Sequence, residues 1–261
     1  MFFGGTLHQM RSSAFLNNSG LCTDEMAKNR IFIVVPYQHL FFISPHNRYE
    51  MCPHALIPFK LVNPKTRLSC VLTQEEREAF ARAMLEDVIY AVKDTNCSPV
   101  IVGTELFDSE DIQITVSDAD LNQTLNALLP QSVGEILIIM ADLPLANAQA
   151  IKRVITTTHD IAIVPGRGGG TNVIFIKEPQ RFHVDYYGTS FLKHLKIAQE
   201  AGLSCEVIDS FRLHTDIDEK EDLVELLIHG TGKSRAYLQE LGFVLSVEKG
   251  RVGVERKENK K

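Results

Sequence analysis

Two groups of carboxylates stand where their side chains could face a bound ligand. Asp142 directly follows the apolar segment 135–140, which predicts a strand covered on both faces. Asp216 precedes a predicted helix that Asp218 or Glu219 opens, and Asp216 and Asp218 point the same way if their segment is extended. A hard cation such as Mg²⁺ takes one or two carboxylates and leaves sites for substrate phosphates, so each group is a candidate magnesium ligand. Two alternatives remain open: Asp142 could cap a helix after Pro144, and the acids around Asp218 could form a solvated helix start.

Three cationic side chains, Lys60, Lys65 and Arg67, follow the predicted strand 55–59. The guanidinium offers a planar fork that can donate two hydrogen bonds to a phosphate, and the two ammonium groups supply point charges. The cluster therefore predicts a clamp for a polyphosphate, with an ordinary solvated loop as the alternative.

A glycine-rich loop lies at 166–170 and contains a G-x-G pattern. A phosphate-binding Walker loop needs Gly-Lys-Ser/Thr before a helix, and a dinucleotide fingerprint also opens a helix, whereas a predicted strand follows this loop. The pattern predicts a backbone that can approach a ligand closely and offer N–H groups, with a plain flexible loop as the alternative.

Other catalytic motifs are absent from the sequence. No H-E-x-x-H, C-x-x-C or G-x-S-x-G pattern occurs, so zinc chemistry and serine hydrolysis are not expected. The sequence contains five cysteines, and an odd number cannot all pair in disulfides. This count disfavours a disulfide framework and favours a reducing, cytoplasmic setting.

The elements that must position these residues alternate between strands and helices, which predicts an open α/β domain with a mostly parallel sheet. In such sheets ligands bind at the carboxyl ends of the strands, where several candidates lie. The predicted strands are 55–59, 99–102, 112–116, 135–140, 161–164, 173–176 and 204–208; the predicted helices are 73–93, 120–129, 148–157, 189–200, 218–227 and 233–241; a hairpin of 243–247 and 251–254 follows.

The amino-acid composition limits the classes of protein to which this chain can belong. With 261 residues, of which 44% are hydrophobic and 23% charged, the chain can bury a sizeable core. The net charge of −6 provides no general attraction for nucleic acid, so no such partner is expected. The longest apolar run, 31–43, is interrupted by polar residues and is too short to span a bilayer. No small-residue cleavage site follows that run, so a secretory signal is not expected either.

Three regions are expected along the chain. Residues 1–50 lack sustained periodicity and predict a poorly ordered extension, or sequence upstream of the true start; an ordinary arm packed on the domain is the alternative. Residues 51–254 form the main domain, and residues 255–261 a charged tail.

Several short segments of the main domain are specific in combination. They are Ile57–Lys60 with Lys65–Ser69, Asp120–Asn122, Met140–Leu145, Val164–Asn172, Tyr186–Phe191 and Asp216–Glu219. Together they resemble the archaeal 2-phospho-L-lactate guanylyltransferase family. The resemblance implies that 51–254 is a nucleotidyltransferase domain with the three-layer α/β/α, Rossmann-like fold of nucleotide-diphospho-sugar transferases and a mostly parallel mixed sheet.

The resemblance also implies an activity and a site. GTP and (2S)-2-phospholactate would give (2S)-lactyl-2-diphospho-5′-guanosine and pyrophosphate, a step towards coenzyme F-420, in a protein that could be a homodimer. One departure is Lys220, where members commonly have proline. The implied roles are triphosphate binding and catalysis for Lys60, Lys65 and Arg67, nucleotide binding for Asn122, a catalytic Mg²⁺ site for Asp142 with Asp216 and Asp218, and binding of the phosphorylated acid for Arg167, Thr171, Gly188 and Ser190.

The chemistry agrees with the residues that are present. The attacking group is already a phosphate oxygen anion, so the reaction needs positioning and charge neutralisation rather than a strong base. Three alternatives remain open: another phosphorylated acid such as phosphoenolpyruvate, another nucleotide, and a non-catalytic nucleotide-binding regulator on the same fold.

Overall fold

The computed structural model describes residues 31–34, 53–106 and 112–257. Within them, one sheet contains eight strands in the order β1-β4-β3-β2-β5-β7-β6-β8. Strands β1 and β7 are antiparallel to their neighbours and the other adjacent pairs are parallel, which confirms the predicted mostly parallel mixed sheet. The strands are β1 (Ile31–Val34), β2 (His54–Phe59), β3 (Ser98–Gly103), β4 (Gln113–Ser117), β5 (Ile136–Ile139), β6 (Ile161–Pro165), β7 (Thr171–Ile176) and β8 (Cys205–Val207).

The helices begin near the residues that the sequence indicates, except that the helix predicted over 218–227 begins only at Leu223, because Asp222 accepts from the N–H groups of Asp218 and Glu219 before it. The longest, α1 (Gln74–Lys93), is capped by Thr73, whose hydroxyl accepts from the Glu76 backbone N–H while the Glu76 carboxylate accepts from the Thr73 N–H. The helices are α1 (Gln74–Lys93), α2 (Leu121–Leu128), α3 (Ala148–Ile155), α4 (Ser190–Glu200), α5 (Phe211–His214), α6 (Leu223–His229) and α7 (Lys233–Glu240). Within the described ranges, none of these helices is long and apolar enough to cross a membrane.

Helices cover both faces of the sheet, as a three-layer fold requires. On one face α1 and α3 bury apolar side chains such as Val88 and Ile151 against the strands. On the other face α2 and α4 contribute Leu125 and Ile197. All four residues of β5 are buried, in agreement with the uniformly apolar sequence of this central strand.

A third cluster lies on the outer side of α1. Phe80 and Met84 pack there against α6, α7 and a two-stranded hairpin of β9 (Phe243–Glu248) and β10 (Arg251–Arg256). This layer fixes the segment before α6, which carries Asp216 and Asp218 towards the sheet edge.

Some expectations fall outside the described residues or differ from the structure. The predicted extension 1–50 is described only at β1, which pairs with β4 at the sheet edge, and the rest of it lies outside the described residues. The predicted charged tail begins within β10, where Arg256 binds Glu76. Helix α5 was not predicted, because four residues are too few to show a helical period.

Candidate functional site

The candidate residues meet at one edge of the sheet because of its topology. Strands β2, β5 and β6 end at this edge, and the antiparallel β7 begins there. The Met140 N–H just after β5 donates to the Asn172 carbonyl over 3.0 Å. The loops after β2, after β5 and before β7 are therefore neighbours, although they lie far apart in sequence.

Lys65 joins two of the predicted metal ligands. Its Nζ lies 2.6 Å from Asp142 Oδ2 and 2.5 Å from Asp218 Oδ1, and the lysine side chain is only 11% exposed. Burial lowers the pKa of Lys65, but the charges of Asp142 and then Asp218 outweigh it and hold that pKa above its usual value. The ammonium group is thus a fixed positive charge between two carboxylates.

A strained turn presents Lys65 to these acids. The backbone of Lys65 is left-handed, with φ 51°, and so is that of Asn63, with φ 47°. The buried guanidinium of Arg77, in α1, donates through Nη1 to Asn63 Oδ1 at 2.9 Å and to the Pro64 carbonyl at 2.6 Å. These bonds offset the cost of the turn, so Arg77 is a support for Lys65 that the sequence did not reveal.

Asp142 is not a helix cap. Helix α3 begins at Ala148 and is capped by Asn147, whose Oδ1 accepts from the Ala150 N–H over 2.9 Å. Asp142 Oδ2 binds Lys65, and its buried Oδ1 has no hydrogen-bond partner among the described residues. The capping interpretation was therefore wrong, and one carboxylate oxygen is left for a ligand.

Asp216 belongs to the same cluster of acids. Its Oδ1 accepts from Asn172 Nδ2 over 3.3 Å, and the N–H of the next residue, Ile217, donates to the Asp142 carbonyl over 3.0 Å. Burial, followed by the negative charge of Asp142, raises the pKa of Asp216. A cation placed among these carboxylates would relieve that repulsion.

The carboxylates of Asp142, Asp216 and Asp218 do not surround a single common position in this structure. Among residues 53–106 and 112–257, no group of three His, Cys, Asp or Glu side chains is arranged to hold a metal ion. Asp142 and Asp218 nevertheless direct carboxylate oxygens at a common position, which the Lys65 ammonium takes. That position has the oxygen donors that hard cations prefer.

A cavity of about 340 Å³ opens beside this cluster. Lys60 and Lys65 line it together with Asp142 and Asp218, and Lys60 forms no ion pair within the described part of the chain. Arg67 is more exposed and lies 3.6 Å from Asp218 Oδ2. A larger cavity of about 700 Å³, between α1, α3 and the start of α7, contains none of the predicted site residues.

The glycine-rich loop is tied to the acidic segment. Arg167 binds Asp222 through its guanidinium, and Asp222 Oδ2 accepts from the N–H groups of Asp218 and Glu219 at 2.9 and 2.8 Å. Gly168 and Gly169 have left-handed backbones with φ 67° and 84°, which glycine adopts without steric cost. Arg167 therefore orders the segment that carries Asp218, and its contact with a substrate stays a prediction.

Thr171 and Ser190 meet behind this loop. Ser190 Oγ lies 3.2 Å from Thr171 Oγ1, and both residues are buried. His194, one turn further along α4, lies 3.0 Å from Thr171 Oγ1 through Nδ1. Gly188, with φ 67°, borders open space where a Cβ atom would meet nothing within 4 Å. The structure thus brings Thr171, Gly188 and Ser190 together, whereas the Arg167 side chain binds Asp222 instead.

Asn122 has a different environment from the other predicted residues. Its Oδ1 accepts from the Tyr186 N–H over 2.8 Å, and its Nδ2 lies 3.4 Å from Asp185 Oδ1. The amide holds the segment that leads to Gly188, so contact with a nucleotide stays a prediction.

Sequence reasoning missed four residues that organise the site, namely Arg77, Asn172, His194 and Asp222. Asn172 Nδ2 donates to the Leu213 and His214 carbonyls as well as to Asp216, which ties β7 to the acidic segment. The spacing of His194 from Ser190 is the one local signal, because residues four apart in a helix share a face.

Comparison with known proteins gives concordant matches over most of the chain. The sequence model of a family described as guanylyl transferase CofC-like matches residues 53–258. A Methanoregula boonei protein named 2-phospho-L-lactate guanylyltransferase is 74% identical over 206 residues, covering 79% of this chain and 96% of that protein. A Methanoculleus marisnigri protein of the same name is 60% identical over 205 residues, covering 78% and 95%.

A solved structure supports the fold independently. A proposed nucleotide-diphospho-sugar transferase from Desulfovibrio desulfuricans G20 superposes with a TM-score of 0.61 and covers 73% of this chain and 95% of its own. Its sequence identity is 16%, so this similarity bears on architecture alone.

Proposed function

The chain belongs to the guanylyl transferase CofC-like family, and on that premise we propose that it joins the guanylyl group of GTP to (2S)-2-phospholactate. A phosphate oxygen of the acid attacks the α-phosphorus of GTP, and the bond from that phosphorus to the β-phosphate oxygen breaks. The products are (2S)-lactyl-2-diphospho-5′-guanosine and pyrophosphate, and they lead towards coenzyme F-420. The observation that carries the proposal is the convergence of Lys65, Asp142 and Asp218 at the sheet edge where β7, which carries Thr171, begins.

The cationic side chains reduce the electrostatic repulsion that opposes this reaction. Two anions must approach each other, and charge builds up on the leaving pyrophosphate. Lys60 and Lys65 line the cavity at the end of β2, and Arg67 lies beside Asp218, which also lines it. They neutralise the triphosphate, and Asn122 adds a contact to the nucleotide. The attacking phosphate is already ionised, so the absence of a nucleophile–base pair in the described site is consistent with the chemistry.

Mg²⁺ is part of the proposal, and the donor set fits it. Asp142 and Asp218 point oxygens at one position, Asp142 Oδ1 lacks a partner in the described residues, and Asp216 carries a raised pKa beside them. These three carboxylates would hold the ion. When bound, Mg²⁺ would neutralise phosphate charge and orient the α-phosphate for attack.

The phosphorylated acid is assigned to the neighbouring loops. Thr171 and Ser190 offer hydroxyls, Gly188 leaves room for a ligand, and Arg167 lies on the glycine-rich loop. The enzyme acts in a cytoplasmic setting, in keeping with the free thiols of Cys70 and Cys205, and could be a homodimer.

A matrix of substrates tests the proposal. Purified protein is incubated with Mg²⁺, each of the four common nucleoside triphosphates, and either 2-phospho-L-lactate or phosphoenolpyruvate, and pyrophosphate release is followed. We expect the fastest release with GTP and 2-phospho-L-lactate. Faster release with phosphoenolpyruvate would reassign the acid, and no release in any combination would contradict transferase activity.

A further inference from the structure

His194 is a fully buried histidine whose two ring nitrogens both have defined partners. Its Nε2 lies 2.9 Å from the backbone N of Asp185, and its Nδ1 lies 3.0 Å from Thr171 Oγ1. A backbone N–H can only donate, so Nε2 must be the acceptor of that bond. The proton of a neutral ring therefore sits on Nδ1, which donates to Thr171.

This tautomer decides what the Thr171–Ser190 hydroxyl pair can do. The two hydroxyls carry two hydrogens, and their 3.2 Å contact uses one of them. His194 cannot accept the second hydrogen, because its Nδ1 is itself a donor. Neither hydroxyl has another hydrogen-bond acceptor among the described residues. One O–H of the pair is thus left to donate to an anionic oxygen.

We propose that His194 is a positioning residue, which makes the Thr171–Ser190 hydroxyl pair a hydrogen-bond donor to the phosphorylated acid. The inference rests on the proposed function. It assigns to His194 part of the enzyme's preference for an anionic second substrate. The opposite tautomer would let Nδ1 accept the spare hydrogen, and the pair would then lose its donor to the ligand. The Asp185 N–H therefore influences substrate binding indirectly, because it fixes the tautomer of the imidazole that orients the hydroxyl pair.

The surroundings of the ring favour its neutral form. Tyr186 contacts the imidazole edge-on at 4.9 Å between ring centroids, and Phe182 lies at 6.1 Å. Burial lowers the pKa of His194 to about 4; the charge of Asp185 raises it, and those of His183 and Lys193 lower it. Lys193 is paired with Asp185 at 2.8 Å, so the charged groups nearest the ring largely offset each other.

Two substitutions of similar size separate positioning from packing. In His194→Asn the amide nitrogen can take the place of Nδ1 and donate to Thr171, whereas His194→Leu fills the site without a donor. We expect His194→Leu to raise KM for 2-phospho-L-lactate on the order of tenfold, the usual worth of a lost hydrogen bond. KM for GTP should stay within about twofold, and His194→Asn should recover most of the loss. Thr95→Val, which removes a buried hydroxyl bonded to the Val92 carbonyl, is the control and should leave both constants unchanged.

A double-substitution cycle shows whether His194 acts through Thr171. If it does, His194→Leu should add little to the defect of Thr171→Val, because the hydroxyl it orients is already absent. Fully additive effects would overturn the inference, as would equal KM values for His194→Leu and the wild type. Equal damage to both KM values in His194→Leu and His194→Asn would assign the residue to packing alone and overturn it too. If the wild type itself transfers no guanylyl group, the proposed function fails first, and the inference with it.

Discussion

The Lys65 ammonium donates to the Asp142 carboxylate over 2.6 Å, and this bond joins residues 77 positions apart in the chain. The same nitrogen binds Asp218. The lysine proposed to bind the triphosphate thus holds two of the carboxylates proposed to bind Mg²⁺. Under that proposal Lys65 and the metal ion would compete for the same oxygens, and a triphosphate that attracts Lys65 would free them.

Replacing Lys65 should expose this competition. In Lys65→Met two carboxylates lose their counter-charge, so we expect the melting temperature to fall on the order of 5 °C. Millimolar Mg²⁺ without nucleotide should raise the melting temperature of the variant more than that of the wild type, because binding to the folded state stabilises it. Lys60→Met is the matched control, since Lys60 lines the same cavity without an ion pair among the described residues. Equal Mg²⁺ responses in all three proteins would contradict the competition.

Asp142→Asn should abolish most turnover while the protein stays folded. Loss of a charged ligand at the reacting phosphate is expected to cost on the order of a hundredfold in kcat. Asp120→Asn provides the contrast, because Asp120 caps α2 by accepting from the Gln123 N–H over 3.0 Å, and asparagine caps equally well. Steady-state kinetics and near-ultraviolet circular dichroism measure the two effects. A nearly normal rate in Asp142→Asn would remove Asp142 from the catalytic site.

The buried imidazole of His194 should make stability depend on pH. Its pKa of about 4 in the folded chain lies below the ordinary value of 6.5, so between these pH values only the unfolded chain takes up the proton. The free energy of unfolding should therefore fall as the pH is lowered from 6.5 towards 4. Urea unfolding at pH 7 and pH 5 should show a smaller fall for His194→Asn than for the wild type. Parallel losses would mean that His194 is protonated in the fold.

A chain that lacks residues 1–50 should fold and retain activity. The family match begins at residue 53, and every assigned site residue lies at Lys60 or later. The deletion removes the edge strand β1, which pairs only with β4 in the described sheet, so a modest drop in melting temperature is expected. Melting curves and pyrophosphate release, compared with the full chain, test this. Insolubility of the shorter chain would show that the first fifty residues are required by the fold.

The fold was largely predictable because its signals are local. The apolar pattern of β5 and the capping box of α1 each lie within a few neighbouring residues of the sequence. Asp142 was identified for the same reason, since it immediately follows a buried strand. Short elements gave no such signal: α5 has four residues, and the partner of β1 lies about eighty positions away.

The site was predictable in its members and not in its contacts. The sequence indicated Lys65 and Asp218 separately, but their bond spans 153 positions and depends on the packing of the layer around α6. His194 was missed because a histidine on a predicted amphipathic helix resembles an ordinary core residue. Its role depends on the Asp185 backbone N–H, which no residue type reveals.

Phosphorus NMR of the reaction with GTP, Mg²⁺ and 2-phospho-L-lactate tests the central claim, attack at the α-phosphorus, most directly. The account predicts two mutually coupled signals of a new diphosphate together with an equal amount of pyrophosphate, as the GTP and phospholactate signals disappear. Formation of GDP with inorganic phosphate, or GTP that persists unchanged beside intact phospholactate, would contradict it.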